Sequence, residues 1–238
     1  MLYSEENVRA NIRNRDGKRV FYLGKGDTLT PSARDWLQQQ RIPVLEAQMA
    51  KPDSYILENG AQFQQKPEHF THLRGNILVP KTHPVIEFRG TMDTLQAELL
   101  LAQEAAEGAV RKDLGEILDL ARKILSWEVM QEPATMDTLC GLTESQQRQR
   151  SHVPQEYYGQ PHFMPSSSDG PALLRINRAR CAARAAELAA ARAFTDRQGN
   201  CTRSDILQLL NRMSSMLYIL MIRLKGEGNP WDGKPLTQ

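Results

Sequence analysis

The sequence predicts a mainly α-helical protein, in which a helical bundle follows a small N-terminal α/β segment. Apolar residues recur at helical spacing over most of the chain beyond residue 90, and both strand-like runs lie before residue 50. The 238 residues, of which 40% are apolar and 24% charged, suffice for one medium domain with or without a small appendage. No apolar stretch reaches the roughly 18 residues of a membrane-spanning helix, which argues against a transmembrane protein.

The N-terminal segment has the pattern of a strand–helix–strand unit. Residues 20–23 are aromatic or apolar and predict a short strand. Thr30 followed by Pro31 predicts a capping residue and the first position of a helix that covers residues 32–40. Residues 42–45 predict a second strand. A unit of this size is too small to stand alone comfortably, so we expect it to accompany a larger domain.

A polar stretch separates this unit from the helical part. Residues 47–70 are mostly polar and include Pro52, which favours a linker. We therefore expect the small segment and its linker within residues 1–60, and a bundle domain at residues 61–238.

Four long amphipathic helices are predicted after the linker. The first two follow one another, with Gly108 as the break between them. Their apolar positions are Leu95, Leu99, Ala102 and Ala106, then Leu114, Ile117, Leu118, Ala121, Ile124 and Leu125. The third covers residues 172–194 and has an alanine-rich face; the fourth covers residues 204–224. Long helices without strands between them are typical of a bundle.

The connection between the second and third helices is polar. A short helix is predicted after Thr143, and residues 151–171 carry several prolines and a serine run. This pattern predicts a long loop, and long loops inside compact domains are often functional.

Three charged residues of the third helix lie on one face. Arg180, Arg184 and Glu187 are spaced i, i+4 and i+7, so they follow one another along the helix surface. Two guanidinium groups one turn apart suit a polyphosphate or a carboxylate ligand. On spacing alone, an ordinary solvated charged face explains the same pattern.

A polar cluster interrupts the apolar pattern of the fourth helix. Asn211, Arg212, Ser214 and Ser215 lie midway along it, and asparagine is a poor helix former. Polar groups in the middle of a bundle need partners, so the cluster is either a buried network or part of a ligand site.

Other kinds of site are weakly supported. The spacing of His69, His72 and His83 suits a metal only if the loop folds back on itself, and Cys140, Cys181 and Cys201 match no metal-ligand spacing. We expect no resident transition metal, and three widely spaced cysteines predict a reducing, cytoplasmic environment. A net charge of +2 and 6% aromatic residues do not favour nucleic-acid binding.

Three segments together resemble a known enzyme family. Residues 79–96, VPKTHPVIEFRGTMDTLQ, are similar to the V-x-K-x-x-P-x-[VI]-E-x-x-G-T-x-D-x-L stretch of the PduO-type ATP:cob(I)alamin adenosyltransferases. The arginine helix resembles that family's R-x-x-x-R-x-x-E pattern, and residues 210–215, LNRMSS, resemble its L-N-R-L-S-D segment. Each piece alone is weak, but three in the same order are specific.

The ethanolamine-utilisation (EutT) branch of these enzymes resembles nearly the whole chain. The similar segments are residues 29–34, 71–73, 141–142 and 207–212. The resemblance implies a five-helix bundle with a small N-terminal α/β segment. It also implies transfer of the 5′-deoxyadenosyl group of ATP to the cobalt of cob(I)alamin, with Mg²⁺ as cofactor and triphosphate as product.

The resemblance also implies roles for single residues. Lys81, Arg180 and Arg184 would face the phosphates of ATP and neutralise charge on the leaving triphosphate. Glu187 and Asn211 would orient the nucleoside or the guanidinium groups.

Asp93 and Phe163 have implied roles of a different kind. Asp93 would pair with Arg180, within the chain or across a subunit boundary. Phe163, with Met164 as the second choice, would displace the lower axial ligand of cob(II)alamin and leave a four-coordinate cobalt that is easier to reduce.

The sequence departs from the family pattern in its phosphate loop. The PduO-type T-x-x-G-D-x-G-x-T loop is not preserved, and residues 65–70 lack its glycines. Either ATP is held differently, or Lys66, Thr71 and Arg74 take over. Ser215 replaces the family's aspartate, so no carboxylate role is carried there.

The resemblance implies partners as well. We expect a homo-oligomer, a trimer or a dimer, that supplies an adenosylcobalamin-dependent lyase in the cytoplasm or inside a bacterial microcompartment. The alternative is a non-catalytic corrinoid-binding chaperone or a structural helical bundle of a microcompartment, which the lost glycine loop favours.

Overall fold

The computed structural model describes residues 2–15, 18–24, 26–47 and 55–226. The chain divides into two compact units, Met1–Leu78 and Val79–Gln238, which are described separately. The sequence places the boundary between residues 60 and 61. The structure places it later because strands on either side of residue 60 pair with each other.

The first part of the N-terminal unit confirms the strand–helix–strand prediction. Its strands are β1 (Leu2–Tyr3), β2 (Arg13–Arg15), β3 (Lys18–Gly24), β4 (Thr28–Leu29) and β5 (Val44–Ala47), and its helices are α1 (Glu5–Ala10) and α2 (Pro31–Gln39). Strand β3 lies parallel to β5 and antiparallel to β2, while β1 pairs with β4. Five buried side chains form a small hydrophobic core in this part of the unit: Val8, Phe21, Ala33, Leu37 and Ile42.

Helix α2 begins where the sequence predicts and controls where β5 begins. The Thr30 hydroxyl accepts a hydrogen bond from the Ala33 amide at 3.3 Å, and Pro31 opens the helix. At the other end, the Ile42 amide donates to the Leu37 carbonyl at 2.9 Å, and Arg41 has a positive φ of 52°. These bonds close the helix, so the strand begins at Val44 rather than at Ile42.

The prediction of a linker over residues 47–70 is wrong for its second half. Strands β6 (Tyr55–Leu57), β7 (Gln62–Phe63), β8 (Phe70–Arg74) and β9 (Ile77–Pro80) form a sheet in the order β7-β6-β9-β8. The strands inside the predicted linker have two or three residues, too few for an alternating pattern to be recognised. Residues 48–54, with Pro52, lie outside the described part.

The second unit contains the four predicted long helices. These are α3 (Pro84–Ala105), α4 (Gly108–Met130), α7 (Gly170–Phe194) and α8 (Ser204–Lys225). Gly108 has a φ of +54° and opens α4, which confirms the predicted break. Ring contact at 5.3 Å between Phe88 and Phe194 and a 2.8 Å bond between Glu98 and Arg178 show that α3 and α7 run antiparallel. The mainly α-helical fold class is confirmed.

The connection from α4 to α7 is more helical than the sequence indicates. Helix α5 (Glu144–His152) is the predicted short helix, and its Thr143 cap forms a capping box with Gln146. The loop predicted at residues 151–171 instead begins with helix α6 (Pro154–Tyr158) and ends with a 3₁₀ turn at Ser167–Asp169. Pro154 occupies the first position of α6, which proline tolerates well. Helix α5 packs on α8 as a short fifth helix of the bundle.

Candidate functional site

The predicted arginine face of α7 meets α8 at two of its three positions. Asn211 Nδ2 donates a hydrogen bond to Glu187 Oε1 at 3.1 Å. The guanidinium of Arg180 lies over the ring of Tyr218, 5.6 Å from its centroid. Arg184, one turn away, is exposed and has no hydrogen bond or ion pair among the residues that the structure describes. It is therefore available to an anionic ligand.

The polar cluster of α8 separates into two parts. The hydroxyls of Ser214 and Ser215 donate to the Asn211 carbonyl at 2.9 and 3.1 Å, so the helix itself satisfies them. The side chain of Asn211 instead joins two charged groups, because its Oδ1 accepts a hydrogen bond from Arg212 while its Nδ2 binds Glu187. The asparagine therefore fixes the orientation of both charges.

Phe163 lies beside Tyr218, in the loop before the 3₁₀ turn. Its ring stands 6.2 Å from the Tyr218 ring at an interplanar angle of 20°, and Lys225 Nζ lies 5.7 Å from its centre. Phe163 is half-buried, whereas Met164 is 88% exposed. Of the two candidates, Phe163 is thus the one that contacts α8, through Tyr218 and Lys225.

Tyr218 connects this loop to α8, and the sequence reasoning missed it. The Tyr218 hydroxyl lies 2.9 Å from His162 Nδ1, and His162 Nε2 lies 3.0 Å from the His152 carbonyl. Because a carbonyl only accepts, Nε2 donates to it, and in the neutral ring Nδ1 then accepts from the tyrosine. Tyr218 follows Asn211 by seven residues, so the helical period places both on one face and could have revealed it.

Lys225 forms an ion pair with Asp169 at the end of the 3₁₀ turn. The lysine ammonium and then the Ser166 backbone amide lower the pKa of the Asp169 carboxyl below its ordinary value. This pair joins the beginning of α7 to the end of α8 beside Phe163.

A cleft of about 710 Å³ opens between α5 and α8 on the same side of α8 as Arg212. We name it the α5–α8 cleft; its lining residues are Glu144, Ser145, Arg148, Gln149, His152 and Arg212. Glu144 Oε1 accepts from Gln208 Nε2 at 2.5 Å and lies 4.0 Å from Arg212 Nε. The sequence reasoning identified Arg212 but none of the α5 residues.

Three other predicted site residues are not part of α7 or α8. Asp93 is exposed on α3 and makes no ion pair with Arg180 or any other described residue, so the predicted pair does not form within one chain. Lys81 directly follows β9, three residues before the start of α3, and is exposed. Thr71 is half-buried on β8, in the N-terminal unit.

The three histidines considered as a metal site have structural contacts. His83 caps α3, since its Nδ1 accepts from the Val85 amide at 3.2 Å. His72 Nδ1 donates to the Gly75 carbonyl at 3.0 Å, and the His69 ring lies 4.7 Å from that of Phe70. Within the described ranges, no group of three or more histidine, cysteine, aspartate or glutamate side chains could hold a metal ion, and no helix is long and apolar enough to span a membrane.

Comparison with known proteins identifies the family. The cobalamin adenosyltransferase family model matches residues 61–224. The chain belongs to the cobalamin adenosyltransferase family. The matched range contains all eight predicted site residues, including the arginine helix and the Asn211 segment.

The similarity to individual members of this family extends over nearly the whole chain. The corrinoid adenosyltransferase EutT of Salmonella typhimurium strain LT2 is 28% identical over 242 residues, which cover 92% of this chain and 90% of the relative. EutT of Escherichia coli K12 is 28% identical over 243 residues with the same coverage. No solved structure matches the chain. As a cobalamin adenosyltransferase, the protein is a transferase.

Proposed function

We propose that this protein transfers the 5′-deoxyadenosyl group of ATP to the cobalt of cob(I)alamin and serves ethanolamine utilisation. The observation that carries the proposal is the state of the α7 arginines. Arg184 has no anionic partner in the described part of the chain, and Arg180 rests on Tyr218 with its Nε buried and without an acceptor there. Buried or clustered cations without carboxylates favour an anionic ligand.

The reaction requires the protein mainly to position the reactants and to stabilise the charge of the leaving group. Cob(I)alamin is itself the nucleophile: its cobalt electron pair attacks C5′ of ATP, the cobalt–carbon bond forms, and the C5′–oxygen bond breaks. Both electrons of the broken bond leave with the triphosphate. The protein must hold the cobalt, C5′ and the leaving oxygen in line, and must stabilise the negative charge on the product.

Arg180 and Arg184 perform the second task in our proposal. Their guanidinium groups lie one helical turn apart and reach neighbouring phosphates. Asn211 holds Glu187 at 3.1 Å, which leaves a carboxylate oriented beside the nucleoside. Lys81 adds a contact to ATP from the segment before α3.

Phe163 prepares the cobalt for reduction. Its half-buried ring contacts both Tyr218 and Lys225. An apolar ring in the lower axial position excludes a ligand, and a four-coordinate cob(II)alamin accepts an electron more readily.

In this proposal, Mg²⁺ binds to the protein as a complex with ATP. The described residues do not build a dedicated cation cage. Such a cage is not required, because Mg²⁺ commonly binds through substrate phosphates and retains several waters. The ion would supply charge neutralisation at the triphosphate.

The assembly is a homo-oligomer, a trimer or a dimer, in which Asp93 of one subunit meets Arg180 of another. The exposure of Asp93 on α3 supports this arrangement, since the carboxylate has no partner among the described residues of its own chain. The product would supply an adenosylcobalamin-dependent lyase, in the cytoplasm or inside a bacterial microcompartment.

An absorbance assay tests the proposal. Reduced cob(I)alamin with ATP and Mg²⁺ should be converted to adenosylcobalamin, with one triphosphate released per corrinoid. Binding of the corrinoid without conversion would instead favour the non-catalytic corrinoid chaperone.

A further inference from the structure

The α5–α8 cleft contains a cation that the chain leaves unsatisfied. The Arg212 side chain is 11% exposed, and its Nη2 donates to Asn211. Its Nε and Nη1 are buried and have no acceptor in the described part of the chain. Burying a guanidinium group with two N–H donors that lack acceptors costs free energy. Buried polar groups therefore normally have a hydrogen-bond partner.

The nearest carboxylate does not satisfy Arg212. Glu144 Oε1 stands 4.0 Å from Arg212 Nε, beyond hydrogen-bonding distance, and it already accepts the 2.5 Å bond from Gln208. Glu144 is also 42% exposed, so water screens its charge. The arginine therefore retains the capacity to bind an anion that enters from the cleft.

The opposite wall supplies a second cation of the same kind. Arg148 of α5 is exposed, lines the cleft and has no side-chain hydrogen bond or ion pair to any described residue. With Arg212 it gives the cleft two guanidinium groups against the single carboxylate of Glu144. His152, Ser145 and Gln149 add further hydrogen-bonding groups around the same opening.

We propose that the α5–α8 cleft binds a phosphate group carried by one of the two substrates, with Arg148 and Arg212 as its ligands. Guanidinium groups match the geometry of a tetrahedral oxyanion, and the opening of about 710 Å³ admits a group attached to a larger molecule. The phosphate is either the phosphodiester in the nucleotide loop of the corrinoid or part of the ATP triphosphate.

The cleft is connected to the α7 site through one residue. Arg212 donates to Asn211 Oδ1, and Asn211 Nδ2 donates to Glu187. A phosphate bound at Arg212 therefore fixes the residue that orients Glu187. The inference rests on the proposed function for the identity of the substrates, but the cleft and its unsatisfied arginine do not depend on it.

Two variants and one control test the proposal. Arg148→Gln removes an exposed cation from the cleft without disturbing the core, and Arg212→Gln removes the buried one. Arg122→Gln is the matched control, because Arg122 is equally an exposed helical arginine, on α4 and outside the cleft. The KM values are measured for ATP, for cobalamin and for cobinamide, a corrinoid that lacks the nucleotide loop. Binding of tripolyphosphate to the enzyme without corrinoid is measured by calorimetry.

Each source of phosphate gives a distinct result. For the corrinoid phosphodiester, Arg148→Gln raises the KM of cobalamin by about tenfold, the scale of one charge-assisted hydrogen bond, and leaves that of cobinamide unchanged. For the ATP triphosphate, the KM of ATP rises instead, equally with either corrinoid, and the Kd of tripolyphosphate measured without corrinoid rises as well.

The proposal is overturned if Arg148→Gln matches Arg122→Gln in every measurement. Arg212→Gln should show the same pattern as Arg148→Gln with a larger change, and Arg148→Gln decides the matter if Arg212→Gln fails to fold. A wild-type enzyme that binds tripolyphosphate through Arg148 but forms no adenosylcobalamin would contradict the proposed function and leave this inference standing.

Discussion

Two groups of arginines in the bundle have opposite surroundings. Arg89 of α3 binds Glu128 of α4 through two hydrogen bonds of 2.8 and 3.2 Å, and Arg223 of α8 lies 2.6 Å from Asp113. Arg180, Arg184 and Arg212, in the middle of α7 and α8, lie near an aromatic ring, an amide or solvent instead of a close carboxylate.

In our proposal, this difference separates arginines that stabilise the fold from arginines that bind a ligand. In a buried ion pair, each charge already has its partner and needs no ligand. Removal of one partner lowers the stability of the fold. A cation without a carboxylate contributes little to the fold and remains available for an anion. We therefore expect substitutions in the first group to change stability and substitutions in the second to change activity.

The largest expected effect is that of Arg184→Ala on catalysis. Loss of this guanidinium should lower kcat by about 10²- to 10³-fold, the usual result of removing one group that stabilises a developing charge. The melting temperature should stay nearly unchanged, because Arg184 is exposed and unpaired among the described residues. The conversion of cob(I)alamin to adenosylcobalamin measures the first quantity and calorimetry the second. Near-normal turnover would show that Arg184 does not face the triphosphate.

Arg89→Ala should have the converse effect, on stability. The substitution leaves the Glu128 carboxylate, which is 1% exposed, without its guanidinium partner, at a cost of about 3 kcal/mol in the free energy of unfolding. Urea denaturation measures this loss. The double substitution Arg89→Met, Glu128→Leu is the control and should recover most of it, because no buried charge then remains. A single variant as stable as the wild type would contradict the structural assignment of this pair.

These two groups of arginines also show which features of the site can be predicted from the sequence. The spacing of Arg180, Arg184 and Glu187 places them on one helical face, and Thr30 with Pro31 fixes the beginning of α2; both are local properties of the chain. What makes Arg184 a candidate ligand for phosphate is that no carboxylate of the described residues pairs with it, and this depends on which helices pack together. The spacing alone fits a solvated face equally well.

The parts that sequence reasoning missed depend on contacts between distant residues or on very short elements. Glu144, which lines the α5–α8 cleft, and Gln208 of α8, which donates a hydrogen bond to it, are 64 positions apart. The two- and three-residue strands β6 and β7 are stabilised by their neighbours in the sheet rather than by their own composition. The helical period places Tyr218 on the same face as Asn211. An aromatic residue on an apolar helix, however, does not by itself indicate a functional role.

Phe163→Ala should have a smaller and more selective effect. We expect the rate from cob(II)alamin with a reductant to fall by about tenfold, equivalent to roughly 1.4 kcal/mol, and the rate from prereduced cob(I)alamin to fall less. The reason is that, in our proposal, the ring acts on the reduction of cobalt and not on the transfer step. Met164→Ala is the matched control, since Met164 is adjacent but exposed. Equal losses in both assays would remove the axial role from Phe163.

The smallest expected effect concerns the ion pair beside Phe163. Lys225 lowers the pKa of Asp169, so the folded protein holds this carboxylate ionised to a lower pH than the unfolded chain does. The contribution to stability is therefore present above the ordinary carboxyl pKa of about 4 and is lost as the pH falls through the lowered value. In Lys225→Met that acid-dependent part should shrink, while the melting temperature at pH 7 falls only slightly, because the lysine is partly exposed. Melting curves of wild type and variant between pH 7 and 3 measure it. Curves that stay parallel over this range would show that the pair does not stabilise the fold.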